Sequence, residues 1–432
     1  MEENNDYLPR VYDEILKDKL ESSGAVLITG CKWCGKTMTG AHQANSILYM
    51  QDPNQRKNFQ NIADSKPSLL LEGATPRLID EWQMSTVLWD AVRFECDRRQ
   101  EMSQFILTGS TVPLDSEKAH SGTGRIARMQ MRTMSLYESK ESNGSVSLKD
   151  LFDGNTDIQG ISQLTIEDLS YLICRGGWPA SLKVKNKKNA IRMAQNYVDA
   201  IANEDIFRLD SEQENANLRL ERNPERAYSI LRSLARNICT MANNKTLLDD
   251  ITANDNGISA STLDKYLNAL RRLFVIEDQQ AWKPSMRSKS ALRTSAKRHF
   301  VDPSIATAVM RTNPEKLLMD FESFGFLFES LCTRDMRAYS QVNDGEVFHY
   351  RDKTGLETDM IISLRDGRWG AAEVKLGTKQ IEEAAKNLLT LKEKINTDKM
   401  GNPSFLMVIT GGQYAYKRND GILVVPLGCL KP

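Results

Sequence analysis

The sequence predicts a multidomain α/β protein, and three observations carry that expectation. The chain has 432 residues, enough for about three domains at roughly 100–200 residues each. Short apolar runs alternate with helix-like stretches through the first part of the chain, as in a three-layer domain built on a parallel sheet. A second set of strand-like runs appears near the C-terminus, after a long helical middle.

Taken in order, residues 12–23 read as an amphipathic helix, and Ala25-Val-Leu-Ile-Thr29 is an apolar run ending in glycine, as a buried parallel strand does. Residues 47–50, 68–71, 77–80 and 104–108 are further short apolar runs. Residues 139–147 (SKESNGSVS) have the composition of a linker. From about 165 to 245 the pattern is mostly helical. It is broken at Arg175-Gly-Gly-Trp-Pro179, because Gly-Gly and Pro both oppose helix. A helix-turn-helix-like passage covers roughly 226–300, and from about 317 a helix leads into strands that end near 421–427. The expected parts are therefore 1–140, 141–225, 226–305 and 306–432.

Composition removes several function classes. The 57 Lys and Arg cancel the 57 Asp and Glu, and the pI is about 6.9. Any contact with phosphate backbones must come from local patches, not from a global charge. Seven cysteines, odd in number and scattered, suit reduced thiols in a cytoplasm better than a disulfide framework. Four histidines, none close together, leave little material for histidine-driven hydrolysis. No run approaches the ~18 apolar residues of a membrane span, and the acidic opening MEENNDYLPR is unlike an export signal. The expectation is a cytoplasmic protein without a membrane partner.

Gly30-Cys-Lys-Trp-Cys-Gly35-Lys36-Thr37 fits G-x-x-x-x-G-K-[ST] at every fixed position, after an apolar strand and at the start of a helix. The glycines let successive backbone N–H groups of Cys31, Lys32, Trp33, Cys34, Gly35 and on to Met38 turn towards phosphate oxygens of ATP. Lys36 would bridge the β- and γ-phosphates and Thr37 would ligate Mg²⁺. Arg77-Leu-Ile-Asp80-Glu81 supplies the second piece: Asp80 as the magnesium carboxylate and Glu81 placed to polarise the attacking water. Cys31 and Cys34 also form a C-x-x-C, open to a redox or half-zinc reading. With no second such pair in the sequence, variable filler of the loop is favoured.

Leu78-Ile-Asp-Glu-Trp-Gln83, Phe105-Ile-Leu-Thr-Gly-Ser110 and Gly124-Arg125 strongly resemble prokaryotic AAA-type ATPases that carry a C-terminal domain related to restriction endonucleases. The resemblance implies that Thr108 or Ser110 is the polar sensor beside the γ-phosphate and that Arg125 is an arginine finger or sensor. The alternative for Arg125 is a surface arginine in a turn. Such ATPases commonly use arginines in trans, so a homo-oligomer fits the resemblance. The Cys31-Lys-Trp-Cys34 filling departs from the family pattern without touching the lysine.

The same family places a winged helix next. Ser261 as N-cap with Asp264 as its box partner, then Leu263, Tyr266, Leu267, Leu270 and Leu273 at helical spacing, resemble its recognition helix. Residues 281–300 hold Lys283, Arg287, Lys289, Arg293, Lys297 and Arg298 with no acid, a patch suited to phosphates, and nucleic acid, DNA favoured, is the expected partner. The alternative is a protein-docking module with a solvated basic loop.

Near the C-terminus, a strand from Glu357 and Asp359, a turn at Arg365-Asp-Gly-Arg368 and a strand ending Glu373-Val-Lys375 read as a hairpin. Glu373 and Lys375 share a face at i and i+2. Two acids and a lysine are what a PD-(D/E)xK nuclease needs: Asp359 and Glu373 on Mg²⁺, Lys375 to orient or deprotonate water. A two-residue turn on Asp366-Gly367 would set Asp359 opposite Val374 and turn it away, so this reading requires an odd-length loop or a bulge. By the resemblance, a helical glutamate upstream, matched by Glu329, joins the metal ligands, with Glu322 an equally available acid and Gln380 a further candidate. The expected function is an Mg²⁺-dependent ATPase whose nucleotide state governs a winged-helix and nuclease-like module acting on nucleic acid. The competing expectation is a nucleotide-gated switch whose nuclease-like domain only docks a protein.

Overall fold

The computed structural model describes residues 7–110, 122–211, 222–253, 258–283, 295–395 and 400–432. The chain divides into two compact units, Met1–Thr133 with Arg272–Phe274, and Met134–Arg271 with Val275–Pro432.

In the first unit α1 (Tyr12–Ser22), α2 (Lys36–Gln43), α3 (Arg56–Ser65) and α4 (Val87–Arg99) accompany β1 (Ala25–Gly30), β2 (Ser46–Tyr49), β3 (Arg77–Asp80), β4 (Phe105–Thr108) and β5 (Ile126–Met131). The sheet order is β2-β3-β4-β1-β5, with every pairing parallel. The apolar runs of β1, β3 and β4 are buried among residues such as Leu27, Ile79, Trp82, Trp89 and Leu107, as expected of strands covered on both faces. The run 68–71 is not a strand: Pro67 starts a 3₁₀ turn, Pro67–Leu71, whose Leu70 and Leu71 enter that core.

The second unit begins with β6 (Val146–Ser147), α5 (Leu148–Phe152), β7 (Gly160–Ile161), α6 (Ile166–Arg175), α7 (Pro179–Leu182), α8 (Lys187–Ala200) and α9 (Ile206–Ser211). Next come α10 (Pro224–Arg236), α11 (Asn244–Thr252), α12 (Ala260–Arg272), α13 (Pro303–Val309), α14 (Pro314–Leu317) and the long α15 (Phe321–Val342). β8 (Gly345–Arg351), β9 (Glu357–Leu364), β10 (Trp369–Lys375), α16 (Ile381–Lys394), β11 (Leu406–Thr410), β12 (Tyr414–Lys417), β13 (Leu423–Pro426) and β14 (Leu430–Lys431) complete it. The main sheet runs β7-β12-β13-β11-β10-β9-β8, with α16 packed on it through Ala384, Leu388 and Leu391.

Two expectations change here. Residues 139–147 are not a free tether, because Ser142 Oγ donates to the Leu430 carbonyl at 2.5 Å and Val146 pairs with Leu430 in parallel. The α12 cap is Ser259, not Ser261: Ser259 Oγ accepts from Thr262 N at 3.1 Å, so the helix starts earlier than its apolar spacing suggested.

Candidate functional site

In the first unit, β1 delivers the chain into a tight loop. Gly30 lies at φ 144°, and a Cβ there would come within 2.1 Å of the Met131 carbonyl, so this position admits only glycine. Trp33 and Gly35, at φ 65° and 104°, turn the chain again so that α2 starts at Lys36. Arg10 braces the loop from outside, donating to the Cys34 carbonyl at 2.6 Å and to that of Arg132 at 2.9 Å. The buried Lys36 points its ammonium into the loop, donating to the carbonyls of Gly30 at 3.0 Å and Cys31 at 2.8 Å.

The sheet order determines what faces this loop. Because β4 lies between β1 and β3, Thr108 is in register with both Ile28 and Asp80. The fully buried Asp80 accepts from Thr37 Oγ1 at 2.7 Å and Thr108 Oγ1 at 2.6 Å through one oxygen, and from Gln51 Nε2 at 3.1 Å through the other. Glu81, at φ 55° just past the strand, accepts from Gln83 Nε2 and from Ser110 Oγ at 3.4 Å. Thr108 and Ser110 therefore hold the two acids. The cradle and its donor set fit a nucleotide phosphate with a hard divalent cation: a backbone turn closed to any Cβ, an inward ammonium, and a hydroxyl paired with a carboxylate.

Within the loop, Trp33 is half exposed and Met38 opens to solvent, whereas Cys31 and Cys34 are buried. A hydrogen bond from Cys31, aided by the Lys36 and Arg10 charges, draws the Cys34 thiol down to about 6 against its burial. The C-x-x-C pair is thus part of the loop's inner wall.

Arg125 lies away from the loop of its own chain. It precedes β5, where Ile126 pairs with Ala25, and so lies at the opposite end of β1 from Gly30, about 16 Å of strand away. There it pairs with Asp97 at 2.7 Å. A parallel strand that begins where β1 begins delivers its leading residue to the wrong edge of the sheet for contact with a nucleotide held by the same chain.

The second unit assembles an acidic centre from four segments. The turn between β9 and β10 spans three residues, Arg365, Asp366 and Gly367, closed by Leu364 N–H to the Arg368 carbonyl at 2.8 Å with Gly367 at φ 93°. The pairing of Met360 with Ala372 then continues to set Asp359 opposite Glu373, on one face. Lys375 Nζ lies 3.4 Å from Glu373 Oε2. α15, capped by Asp320 through Ser323 N, brings in Glu329. Asp359 Oδ2 accepts from Val374 N at 2.9 Å, while Glu373 Oε1 is buried without a hydrogen-bond partner, the situation of a carboxylate suited to a cation.

Charge is crowded here. Burial and the nearby Asp359 push the Glu373 carboxyl well above the usual range and that of Glu329 up to about 7. Burial acts the same way on Asp359, but the Lys297 and Lys375 charges overcome it and hold it below the ordinary value. The centre opens on a cavity of about 1300 Å³ lined by Lys297, Phe326, Glu329, Asp359, Lys375 and Gln380, with Glu322 also on its wall.

Sequence reasoning missed Lys297 as a member of this centre. Lys297 and Arg298 belong to the basic patch expected to meet phosphates, with a solvated loop as the alternative, yet both are buried. Lys297 Nζ lies 2.7 Å from Glu329 and 3.1 Å from Asp359, and Arg298 pairs with Asp278 at 3.0 Å. Arg287, Lys289 and Arg293 lie outside the described residues, and Lys283 is exposed. Also missed were Cys239 and His299, whose donor atoms lie within 4.8 Å of each other and of Glu329. They come from distant chain positions, so no local spacing announces them.

A glycine-lined loop between a buried parallel strand and a helix, facing a carboxylate on a nearby strand, defines a P-loop nucleotide-binding domain. Residues 22–140 match the AAA domain family, in agreement with the nucleotide-binding fold of the first unit. Residues 166–316 and 324–430 match two families described as domains of unknown function, DUF8612 and DUF4143. No curated protein matches the chain. Similar solved structures include a Walker-type ATPase of Pyrococcus abyssi, 11% identical over 71% of this chain and 97% of that one, with a TM-score of 0.41. The replication initiator DnaA bound to AMPPCP and single-stranded DNA is 12% identical, covering 60% of this chain and 86% of that chain at a TM-score of 0.28. Drosophila ORC bound to DNA is 12% identical, covering 67% and 89% at 0.21. Among the described residues, no helix is long and apolar enough to cross a membrane.

Proposed function

We propose that this protein is an Mg²⁺-dependent ATPase whose nucleotide state governs a nuclease-like module acting on nucleic acid, with DNA favoured. In the first unit the backbone N–H groups from Cys31 to Thr37 would donate to phosphate oxygens. Lys36 would exchange the Gly30 and Cys31 carbonyls for the β- and γ-phosphates. Thr37 and Asp80 would hold the magnesium, which when bound offsets phosphate charge. Glu81 would align a water for in-line attack on the γ-phosphorus, with the bond to the ADP oxygen breaking. Any catalytic work by Arg125 would be on a nucleotide held by a second copy of the chain.

In the second unit Asp359, Glu373 and Glu329 would hold a divalent cation that supplies Lewis acidity when bound, and Lys375 would orient or deprotonate the water. The single observation that carries this half is the odd-length turn: it sets Asp359 opposite Glu373, with Lys375 two residues on. Three helices followed by the antiparallel pairing of Ile276 with Phe300 and Gln279 with Lys297 support a winged-helix-like element between the two chemistries.

One observation favours the docking alternative: an ammonium already sits between Glu329 and Asp359. A cleavage assay with Mg²⁺ or Mn²⁺, with and without ATP, on several nucleic acids separates the readings. Cleavage by the wild type that vanishes in Asp359→Ala and Lys375→Ala while phosphate release persists supports the nuclease. Absence of cleavage under every metal and nucleic acid hands the domain to docking.

A further inference from the structure

The acidic centre of the second unit already holds a cation of its own. Lys297 Nζ bridges carboxylates from two different elements, Glu329 Oε1 on α15 and Asp359 Oδ1 on β9. The other Asp359 oxygen is engaged by Val374 N. Each Asp359 oxygen thus already accepts one hydrogen bond, and a divalent ion bridging Asp359 and Glu329 would have to stand where the Lys297 ammonium now does.

The ammonium is built in. Lys297 and Gln279 exchange backbone hydrogen bonds of 2.9 Å in both directions, and Gln279 Nε2 in turn donates to the Asp359 carbonyl at 3.0 Å. The same residue thus fixes the Lys297 backbone and the strand that carries its partner. His299, on the Lys297 side of this pairing, meets Gln279 Oε1 at 3.2 Å, which orients the amide. The Lys297 side chain is 6% exposed, unlike Lys375 at 24%, which pairs with Glu373. The two lysines divide the work: Lys375 borders the cavity on β10, and Lys297 fills the space between the acids. A buried ammonium between two carboxylates compensates charge that is otherwise costly to bury, and it competes with any other cation for the same oxygens.

We infer that Lys297 is a resident counter-ion of the acidic centre, and that a divalent cation enters Asp359 and Glu329 only by displacing its ammonium. The inference rests on the reading of these acids as a metal centre, but it concerns cation occupancy and not phosphodiester cleavage. It makes the centre a site with an internal competitor, so metal affinity is set by residue 297 as well as by the acids.

Two measurements on the full chain without nucleotide test this. Calorimetric titration with Mn²⁺ should show Lys297→Met, which keeps length and removes charge, binding at least about tenfold more tightly than wild type. The gain should vanish in Lys297→Met/Asp359→Asn. Equal or weaker binding by folded Lys297→Met overturns the inference. The second measurement needs no variant: Lys297 of the wild type should resist an amine-acylating reagent, read by peptide mass spectrometry, and become several-fold more reactive at Mn²⁺ concentrations that saturate the centre. Unchanged labelling at saturation overturns it equally. Tighter Mn²⁺ binding by Lys297→Met without cleavage of any nucleic acid sinks the nuclease reading and leaves the counter-ion standing. Cleavage by the wild type with no affinity gain in the variant does the reverse.

Discussion

The two chemical centres of this molecule are built in opposite ways. In the first unit the main contacts come from one loop and two strand ends, Gly30 to Thr37 with Asp80 and Thr108. Lys36 and Asp80 there are held by backbone carbonyls and by hydroxyl and amide groups, not by an opposite charge. In the second unit the acids and lysines come from 297, 329, 359, 373 and 375, on four separate segments, and the cluster neutralises itself internally through Lys297 and Lys375. The contrast teaches that the first centre is shaped by short-range backbone geometry, whereas the second is held by ion pairs between distant segments. Occupying the second centre therefore means exchanging partners.

The sharpest way to break this comparison is to disable one centre and watch the other. Lys36→Ala should lower phosphate release by at least about 10²–10³-fold, the scale of losing one preorganised charge donor, while Mn²⁺ binding to the second unit stays intact. Asp359→Ala or Lys375→Ala should cut nucleic-acid cleavage by roughly 10²-fold or more and leave phosphate release unchanged. Loss of both activities in either variant would mean the two centres are not chemically separate.

Acid should separate the units as well. Burial holds His299 well below its ordinary value, and burial with the Lys297 charge brings His349 down to about 4. Depressed folded-state values mean that the unfolded chain binds protons first as pH falls below about 6.5. The stability these two residues provide is complete above that point and is lost as pH descends towards their folded values. Each should cost about 1 kcal/mol of unfolding free energy between pH 7 and 5.5, measurable by urea unfolding and reduced in slope by His349→Gln. The smallest effect is expected at Arg125→Ala. Its exposed pair with Asp97 contributes little, and turnover in dilute solution should stay within about twofold. A collapse of turnover that depends on protein concentration would place Arg125 on a neighbouring copy's nucleotide.

Legibility in the sequence follows the range of the interactions. Four strands of the first unit's parallel sheet were readable as short apolar runs, whereas β5, which carries Arg128 and Gln130, was not, and 68–71 misled because Pro67 leads that run into a 3₁₀ turn. The hairpin carrying Asp359 and Glu373 was readable as a hairpin, but its register was not, because one residue of turn length decides which face Asp359 occupies. Lys297 reads in the sequence as one of six cations of a phosphate-binding patch, and only the pairing with Gln279 turns it inward.

What the sequence alone determined was the phosphate loop. Its conformation depends on glycines and consecutive backbone N–H groups within eight residues, and such geometry is local. Tertiary structure decided the rest: that Arg125 stands at the far end of β1, because parallel strands start together, and that Lys297 joins Glu329 and Asp359, because a buried charge must find its opposite wherever the fold brings one.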